Sequence, residues 1–239
     1  MNLEKASAAV RVEVLKAVAG LKEEVPDMVI SEALVSFILN DKYYRSFYCT
    51  PKYLEALVRG HLVSEGLCQL CDIKMVKVVS DGQVTSVEAT TNTPNIGLSI
   101  VTSTKELTAD SIWSSVDKLN QNSILFKDTG GAHIAGIFFN GTVVFAEDVS
   151  RHCAIDKVVG LTLCENIDLS QTVLLTSCRQ TASTIVKAIY SRIPIVISTS
   201  AVTSLAIENA EKYGVTLVGF ARQRRFNVYS HSERITYND

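Results

Sequence analysis

The residues best suited to chemistry in this 239-residue chain gather in its second half. Three stretches stand where parallel strands should end: Ser177-Cys178-Arg179, Ser198-Thr199-Ser200 and Ala221-Arg222-Gln223-Arg224-Arg225. The first two lead into helix N-termini, whose free N–H groups attract anions. The third places three arginines within four residues, and forked guanidinium donors match phosphate oxygens. Taken singly, such stretches more often cap helices or solvate a loop. Their convergence on one edge of a parallel sheet points instead to a site for an anionic, nucleotide-like ligand.

Other stretches carry weaker signals. In Asp128-Thr129-Gly130-Gly131-Ala132-His133 the paired glycines permit close approach of backbone to ligand, with His133 immediately after; a Gly-Gly turn is also ordinary punctuation. Arg151-His152-Cys153 falls about one turn into a helix, where a histidine transfers protons or, more commonly, packs. Cys153 as a nucleophile would need a base and an orienting group. Cys68-Gln69-Leu70-Cys71 is the sole CxxC and has no second half of a zinc site. It follows a helix and precedes a strand, whereas a thioredoxin-type pair opens a helix. Chance adjacency of reduced thiols is the favoured reading, with a reactive pair as the alternative.

The elements that must position these residues follow from pattern. Ala6 to Lys22 has only a weak helical period. Val35–Ile38 and Tyr43–Tyr48 form a hairpin through Asn40-Asp41. Thr50-Pro51 opens a helix, with Thr as cap and Pro at the first position; it buries Leu54, Leu57, Val58 and Leu62 and ends at Gly66. Strands at Met75–Val79 and Val84–Ala89 join through Asp81-Gly82. A loop over 90–106 includes a short strand at Leu98–Val101, and a helix covers Ala109–Leu119. His133–Phe139 and Val143–Ala146 form a second hairpin around Asn140-Gly141. A helix then starts near Glu147-Asp148, whose carboxylates suit its positive end, and stops near Gly160. Strands Val173–Thr176, Ile195–Ile197 and Val215–Phe220 alternate with helices at Ala182–Ile189 and Val202–Tyr213, which implies parallel strands with right-handed crossovers. Phe226–Tyr229 adds a last strand. The fold class is α/β, with a boundary near residue 108: residues 1–108 form a small α+β domain and 109–239 the larger α/β domain.

Composition narrows the function. Apolar residues make up 47% and charged residues 20% of the chain, as in a globular protein with a substantial core. A net charge of −2 argues against nucleic-acid binding driven by overall charge. No signal-peptide core or membrane-length apolar run is present, and six unevenly spaced cysteines read as reduced thiols. The expectation is a cytoplasmic protein without membrane contact.

With these stretches laid out, the chain resembles the FdhD/NarQ family, the formate dehydrogenase accessory proteins, from about Thr50 to the C-terminus. The resemblance rests on Thr50-Pro51 with Ser64-Glu65-Gly66, on Thr129 to Ala135, and on Glu147 to His152 with Ala154-Ile155-Asp156-Lys157. Ser177 with Arg179, Thr203 to Ala206, Leu217 to Phe220 and Arg225 to His231 continue it in order. It implies a C-terminal cytidine deaminase-like α/β/α domain with a mixed sheet, preceded by the smaller α+β domain. It also implies that the protein carries sulfur from a cysteine desulfurase to molybdenum bis(molybdopterin guanine dinucleotide) before that cofactor enters the formate dehydrogenase catalytic subunit. In the family the stretch matching Phe220 to Arg225 binds the cofactor, so GDP is the expected mimic. The cofactor-binding set is then Phe220, Ala221, Arg222, Gln223, Arg224 and Arg225 with Gly130, Gly131, His133, Arg151, His152, Ser177 and Arg179. No metal is expected on the protein itself, and the resemblance leaves room for a homodimer.

Two departures stand out. Family members that transfer sulfur carry a Cys-Gly-x-Cys-Gly loop, whereas the corresponding stretch here, Ala89 to Leu107, has no cysteine. Cys68 and Cys71 lie earlier and are not the family's pair. Gln223-Arg224 replace the usual Gly-Gly, adding charge and bulk. A zinc-dependent nucleobase deaminase is disfavoured, because the Glu two positions after a His ligand and a Pro-Cys-x-x-Cys pair are both absent. The remaining alternative is a non-catalytic cofactor-binding or interaction protein that has lost sulfur transfer.

Overall fold

The computed structural model describes residues 7–80, 85–92 and 96–237. Strand β1 (Ala9–Val18) pairs antiparallel with β2 (Leu21–Ile30) in a two-stranded ribbon. The weak helical period over Ala6 to Lys22 is overruled because Val10, Val12 and Val14 alternate with Arg11 and Glu13, a period of two that suits a strand. Strands β3 (Ala33–Leu39) and β4 (Lys42–Cys49) form the expected hairpin, with Asn40 and Asp41 at φ 50 and 62, as a tight primed turn requires. Helix α1 (Leu54–Ser64) then leads to β5 (Ile73–Ser80) and β6 (Thr85–Thr91). These strands complete a four-stranded sheet in the order β4-β3-β6-β5. The Asp81-Gly82 turn lies outside the described residues. No strand forms at Leu98–Val101; Val101 N–H donates to the Tyr213 carbonyl at 2.8 Å instead.

The remaining elements are β7 (Leu107–Thr108), α2 (Ala109–Gln121), α3 (Ile124–Thr129), β8 (His133–Phe139), β9 (Thr142–Asp148), α4 (Arg151–Cys164), β10 (Val173–Thr176), α5 (Ala182–Tyr190), β11 (Ile195–Ser198), α6 (Ser204–Tyr213), β12 (Thr216–Arg222), β13 (Arg225–Ser230) and β14 (Ile235–Thr236). Six strands make a mixed sheet in the order β13-β12-β11-β10-β8-β9. Its centre, β10, β11 and β12, is parallel, while β8, β9 and β13 run antiparallel to their neighbours. Alternate residues bury both faces. Leu174, Val196 and Leu217 pack with α4, α5 and α6, whereas Val173, Leu175, Ile197 and Val218 pack with α2. The sheet is therefore the middle of three layers. Beyond α4, α1 packs on one side against the four-stranded sheet and on the other against α4. Among the described residues no helix is long and apolar enough to cross a membrane.

Three helix boundaries differ from the sequence reading. Thr50 does not cap α1, which starts at Leu54 after Tyr53 in the left-handed region. Thr50 is instead drawn into a buried polar cluster: its N–H donates to Asp148 Oδ2 at 3.2 Å, its Oγ1 accepts from Val149 N–H, and its carbonyl accepts from Lys157 Nζ. Helix α4 starts at Arg151 with Ser150 as cap, because Asp148 is fully buried against Lys157 at 2.5 Å and Glu147 points to α3. Gly160 does not stop α4. It sits where a Cβ would lie 1.9 Å from the Ala56 carbonyl oxygen, as a Cβ on Gly60 would lie 1.8 Å from that of Asp156. The two glycines let α1 and α4 touch backbone to backbone.

Candidate functional site

One edge of the six-stranded sheet gathers the carboxyl ends of β10, β11 and β12 together with the start of β8. Hydrogen bonds tie these ends into a continuous rim. Ser177 N–H donates to the Ile134 carbonyl at 3.0 Å, and Ile134 N–H donates to Ser177 Oγ at 3.1 Å. Thr199 N–H donates to the Thr176 carbonyl, and Phe220 N–H to the Ser200 carbonyl at 2.9 Å. The three strand-end stretches chosen from sequence, and the Gly-Gly-Ala-His stretch, thus share this edge. A cavity of about 410 Å³ opens there, lined by Phe126, Gly131, His133, Ser177 and Thr199 among others.

Each residue has a local reason for its place. Helix α3, which the sequence reading missed inside a loop, is secured by Glu147: its carboxylate accepts from Leu125 N–H at 2.7 Å and Phe126 N–H at 2.9 Å. The only sequence signal was Glu147 itself, read as a cap for the wrong helix. Gly130 ends α3 at φ 67, the left-handed cap that glycine adopts without strain. Gly131 leaves room for β2, since a Cβ would come 2.9 Å from Ile30 Cγ2. His133 is half-buried and its imidazole is held below its ordinary pKa by burial first, then by the positive charges of Arg151 and Arg179. Arg151 Nε is buried without a hydrogen-bond partner, and Arg179 is exposed.

The arginine stretch takes a different shape from a simple strand end. Phe220 sits at φ 53 within β12, and the pairing with β13 slips between Gly219 and Arg222, a bulge that re-aims the chain. Ala221 is fully buried. Arg222 pairs with Arg225 across a hairpin whose two turn residues, Gln223 and Arg224, have φ 54 and 57. Arg222, Arg224 and Arg225 are exposed, and the Arg222 guanidinium lies 5.8 Å from the Phe220 ring centroid. Among the described residues no ion pair engages Arg151, Arg179, Arg222, Arg224 or Arg225. The rim therefore carries positive charge without neutralising carboxylates.

His152 lines a different space. With Arg45, His61, Glu65, Asp156 and Lys187 it borders a cavity of about 430 Å³ between β4, α1 and the start of α4. Burial, Lys187 and Arg151 hold its imidazole below the ordinary pKa. Behind it lies a network that sequence reasoning missed. Lys187 donates to Asp156 Oδ1 at 2.7 Å, Glu65 Oε1 at 2.6 Å and Ser64 Oγ at 3.2 Å. His61 Nδ1 meets Asp156 Oδ2 at 2.8 Å. Lys187 and its hydrogen bonds hold the Asp156 carboxyl well below the usual range despite complete burial. Lys187 has spent all three donors inside the protein, so the network knits α1, α4 and α5.

The thiols divide by exposure. Cys153 is 4% exposed, and burial pushes its pKa up to about 12, which leaves no thiolate for the nucleophilic role considered from sequence. Cys68 is fully buried and pushed up to about 11 by burial, then by the charges of Asp72 and Cys71. Cys71 and Cys164 are exposed.

Comparison with known proteins agrees with this architecture. The FdhD/NarQ family model matches residues 95–236. The sulfur carrier protein FdhD of Wolinella succinogenes is 34% identical over 239 aligned residues, covering 89% of this chain and 84% of that protein. The protein of the same name from Listeria monocytogenes is 32% identical, covering 91% and 95%. A crystal structure of a candidate formate dehydrogenase accessory protein from Desulfotalea psychrophila superimposes with a TM-score of 0.85 at 26% identity, covering 96% of this chain and all of that one. The chain belongs to the FdhD/NarQ family.

Proposed function

We propose that this chain is a formate dehydrogenase accessory protein whose rim holds the guanine-dinucleotide form of the molybdenum cofactor, as cargo, while sulfur is delivered from a cysteine desulfurase. The observation that carries the reading is the set of five guanidiniums at and beside one sheet edge with no ion-pair partner among the described residues. Unpaired arginines cost nothing in water but bind phosphate strongly. The orphaned Arg151 Nε adds a donor awaiting an acceptor, and the Phe220 ring offers a flat apolar partner for a base. In this reading Gly130 and Gly131 admit the ligand close to the backbone, and His133, Ser177 and Arg179 contact its phosphates. Arg222, Arg224 and Arg225 grip it from the hairpin, with Gln223 between them. His152 is set aside, because it borders the other cavity. The three-layer arrangement around the mixed sheet is of the cytidine deaminase type, with a domain division near residue 108, and the formate dehydrogenase catalytic subunit receives the charged cofactor in the cytoplasm.

The test is GDP, which carries the same guanine nucleotide end. At a hundred times its dissociation constant it stabilises the fold by about 2.7 kcal/mol, seen as a rise in melting temperature. Arg222→Ala with Arg225→Ala abolishes the rise. A flat response of the wild type to GDP and to the cofactor would leave an interaction protein without a ligand.

A further inference from the structure

Two cavities lie away from the rim, one of about 550 Å³ beside Cys68 at the opposite edge of the sheet and one of about 430 Å³ beside His152. The second has the edge of a strand along its wall. Strand β4 is the last strand of the four-stranded sheet, and its Arg45, Ser46, Phe47 and Tyr48 line the cavity. The Asn40-Asp41 turn closes on the pair Leu39–Lys42, and β4 has one extra residue between Tyr43 and Arg45. A two-residue hairpin turn hydrogen-bonds its closing pair, and bonded and non-bonded pairs then alternate. Counted from there along β3, Ser36–Ser46 and Leu34–Tyr48 are non-bonded pairs, so the N–H and C=O groups of Ser46 and Tyr48 point away from β3. The Tyr48 carbonyl agrees: it faces Cys153 Sγ, at the start of α4, at 4.0 Å. Among the described residues no strand pairs with this side of β4, which leaves Ser46 with backbone groups that an added strand can use.

The interior of the cavity shows what such a strand should carry. His61 is 1% exposed, and Asp156 Oδ2 at 2.8 Å from Nδ1 places the ring proton there. Its Nε2 is then a buried acceptor, and it has no partner, a state that costs free energy until a donor arrives. Glu32, Glu65 and Asp156 line the cavity against Arg45 and Lys187, an excess of one negative charge. Lys187 is held by Asp156 and Glu65, while Glu32 enters no ion pair among the described residues. From this juxtaposition we infer that β4 receives an extended segment of a partner protein as an added strand, and that a lysine of this segment enters the cavity. Its ammonium donates to His61 Nε2 and faces Glu65 and Glu32. An ammonium brings three donors and one positive charge, which meets both the orphaned acceptor and the excess charge; a hydroxyl would meet only the first. Backbone bonds to the strand edge supply affinity, and the pocket selects the side chain. Tyr43 and Tyr48 stand exposed on the same strand, a residue type that interfaces favour. The surface uses none of the rim's residues and is independent of the nucleotide reading.

The probe is an end-capped, fluorescently labelled peptide of alternating threonine and valine with one central lysine, and its control carries norleucine in the lysine's place. Each is titrated into the full chain and followed by fluorescence anisotropy and amide chemical shifts. The lysine peptide binds saturably and moves the amides of Ser46 and Tyr48, and the norleucine peptide binds about tenfold more weakly or worse. Ser46→Pro removes the outward N–H without touching the ladder to β3, and it abolishes binding while GDP binding is unchanged. Should that variant fold poorly, Glu32→Gln, at an exposed position, weakens the lysine peptide several-fold and leaves the norleucine peptide as it was. No binding up to millimolar concentration, equal binding of the two peptides, or binding that survives Ser46→Pro would overturn the proposal. Failure of wild type to bind GDP would instead sink the rim reading and leave the peptide result intact.

Discussion

His133 is the residue at which the electrostatics of the rim become measurable. Burial, Arg151 and Arg179 together hold its folded-state pKa below the ordinary 6.5. The folded protein therefore binds fewer protons than the unfolded chain in the window just below 6.5, and this contribution to stability is lost as pH falls through that window. Arg179→Ala removes one of the causes and raises the His133 pKa toward 6.5, read from the imidazole signals by NMR; an unmoved titration would separate the two residues. An anion bound beside His133 raises the same pKa, so GDP binding takes up protons and tightens as pH drops through the His133 range. Arg179 could be placed on this edge from strand order, whereas His133 and Arg151 joined the set through the family resemblance. His152 could not be placed, since adjacent helical residues point about 100° apart and its helix begins later than its carboxylates suggest.

The hairpin of β12 and β13 carries the clearest local strain. Gln223 and Arg224 both occupy left-handed backbone, where a side chain costs about 1–2 kcal/mol per residue. Asn-Gly is the pair that this two-residue turn favours. Gln223→Asn with Arg224→Gly therefore stabilises the fold by about 1 kcal/mol or more, measured by urea denaturation, while removing one positive charge from the rim. No gain in stability would show that the turn does not hold this backbone. That two non-glycine residues persist here fits a site that keeps charge at the cost of backbone ease. The hairpins around Asn40-Asp41 and Asn140-Gly141 were legible from alternation and turn chemistry, whereas β1 was read as weakly helical and no strand forms at Leu98–Val101. The cap of α4 and the whole of α3 were not legible, because Glu147 secures the backbone of α3 and Asp148 pairs with Lys157 in the middle of α4, not with the N–H groups of its first turn.

Across the whole molecule, the contact between α1 and α4 joins the four-stranded sheet to the six-stranded one. Glycine at 60 and 160 brings the helices together at backbone distance, and the Asp156–Lys187–His61 network locks the same junction. Gly60→Ala forces the helices apart and costs about 1–3 kcal/mol or more in thermal or urea unfolding, whereas Gly97→Ala, with open space around it, costs far less. Equal effects would mean the helices do not meet as described. Sequence placed a boundary near residue 108 from a change of rhythm, but a junction built on missing side chains leaves no apolar pattern to read. The buried charges of the junction were invisible for a related reason: a lysine and an aspartate on a helix look solvated until their partners arrive from distant elements.

The central claim is that the rim of the six-stranded sheet, and not the opposite edge, holds the nucleotide. Mapping amide chemical shifts of the full chain as GDP is added tests it most directly. The account predicts changes clustered at Gly130–Ile134, Ser177–Arg179, Thr199–Ser200 and Phe220–Arg225, with Cys68–Cys71 and Ile96–Ser99 unmoved. Shifts centred on the cavity beside Cys68, or on the His152 cavity alone, would contradict it.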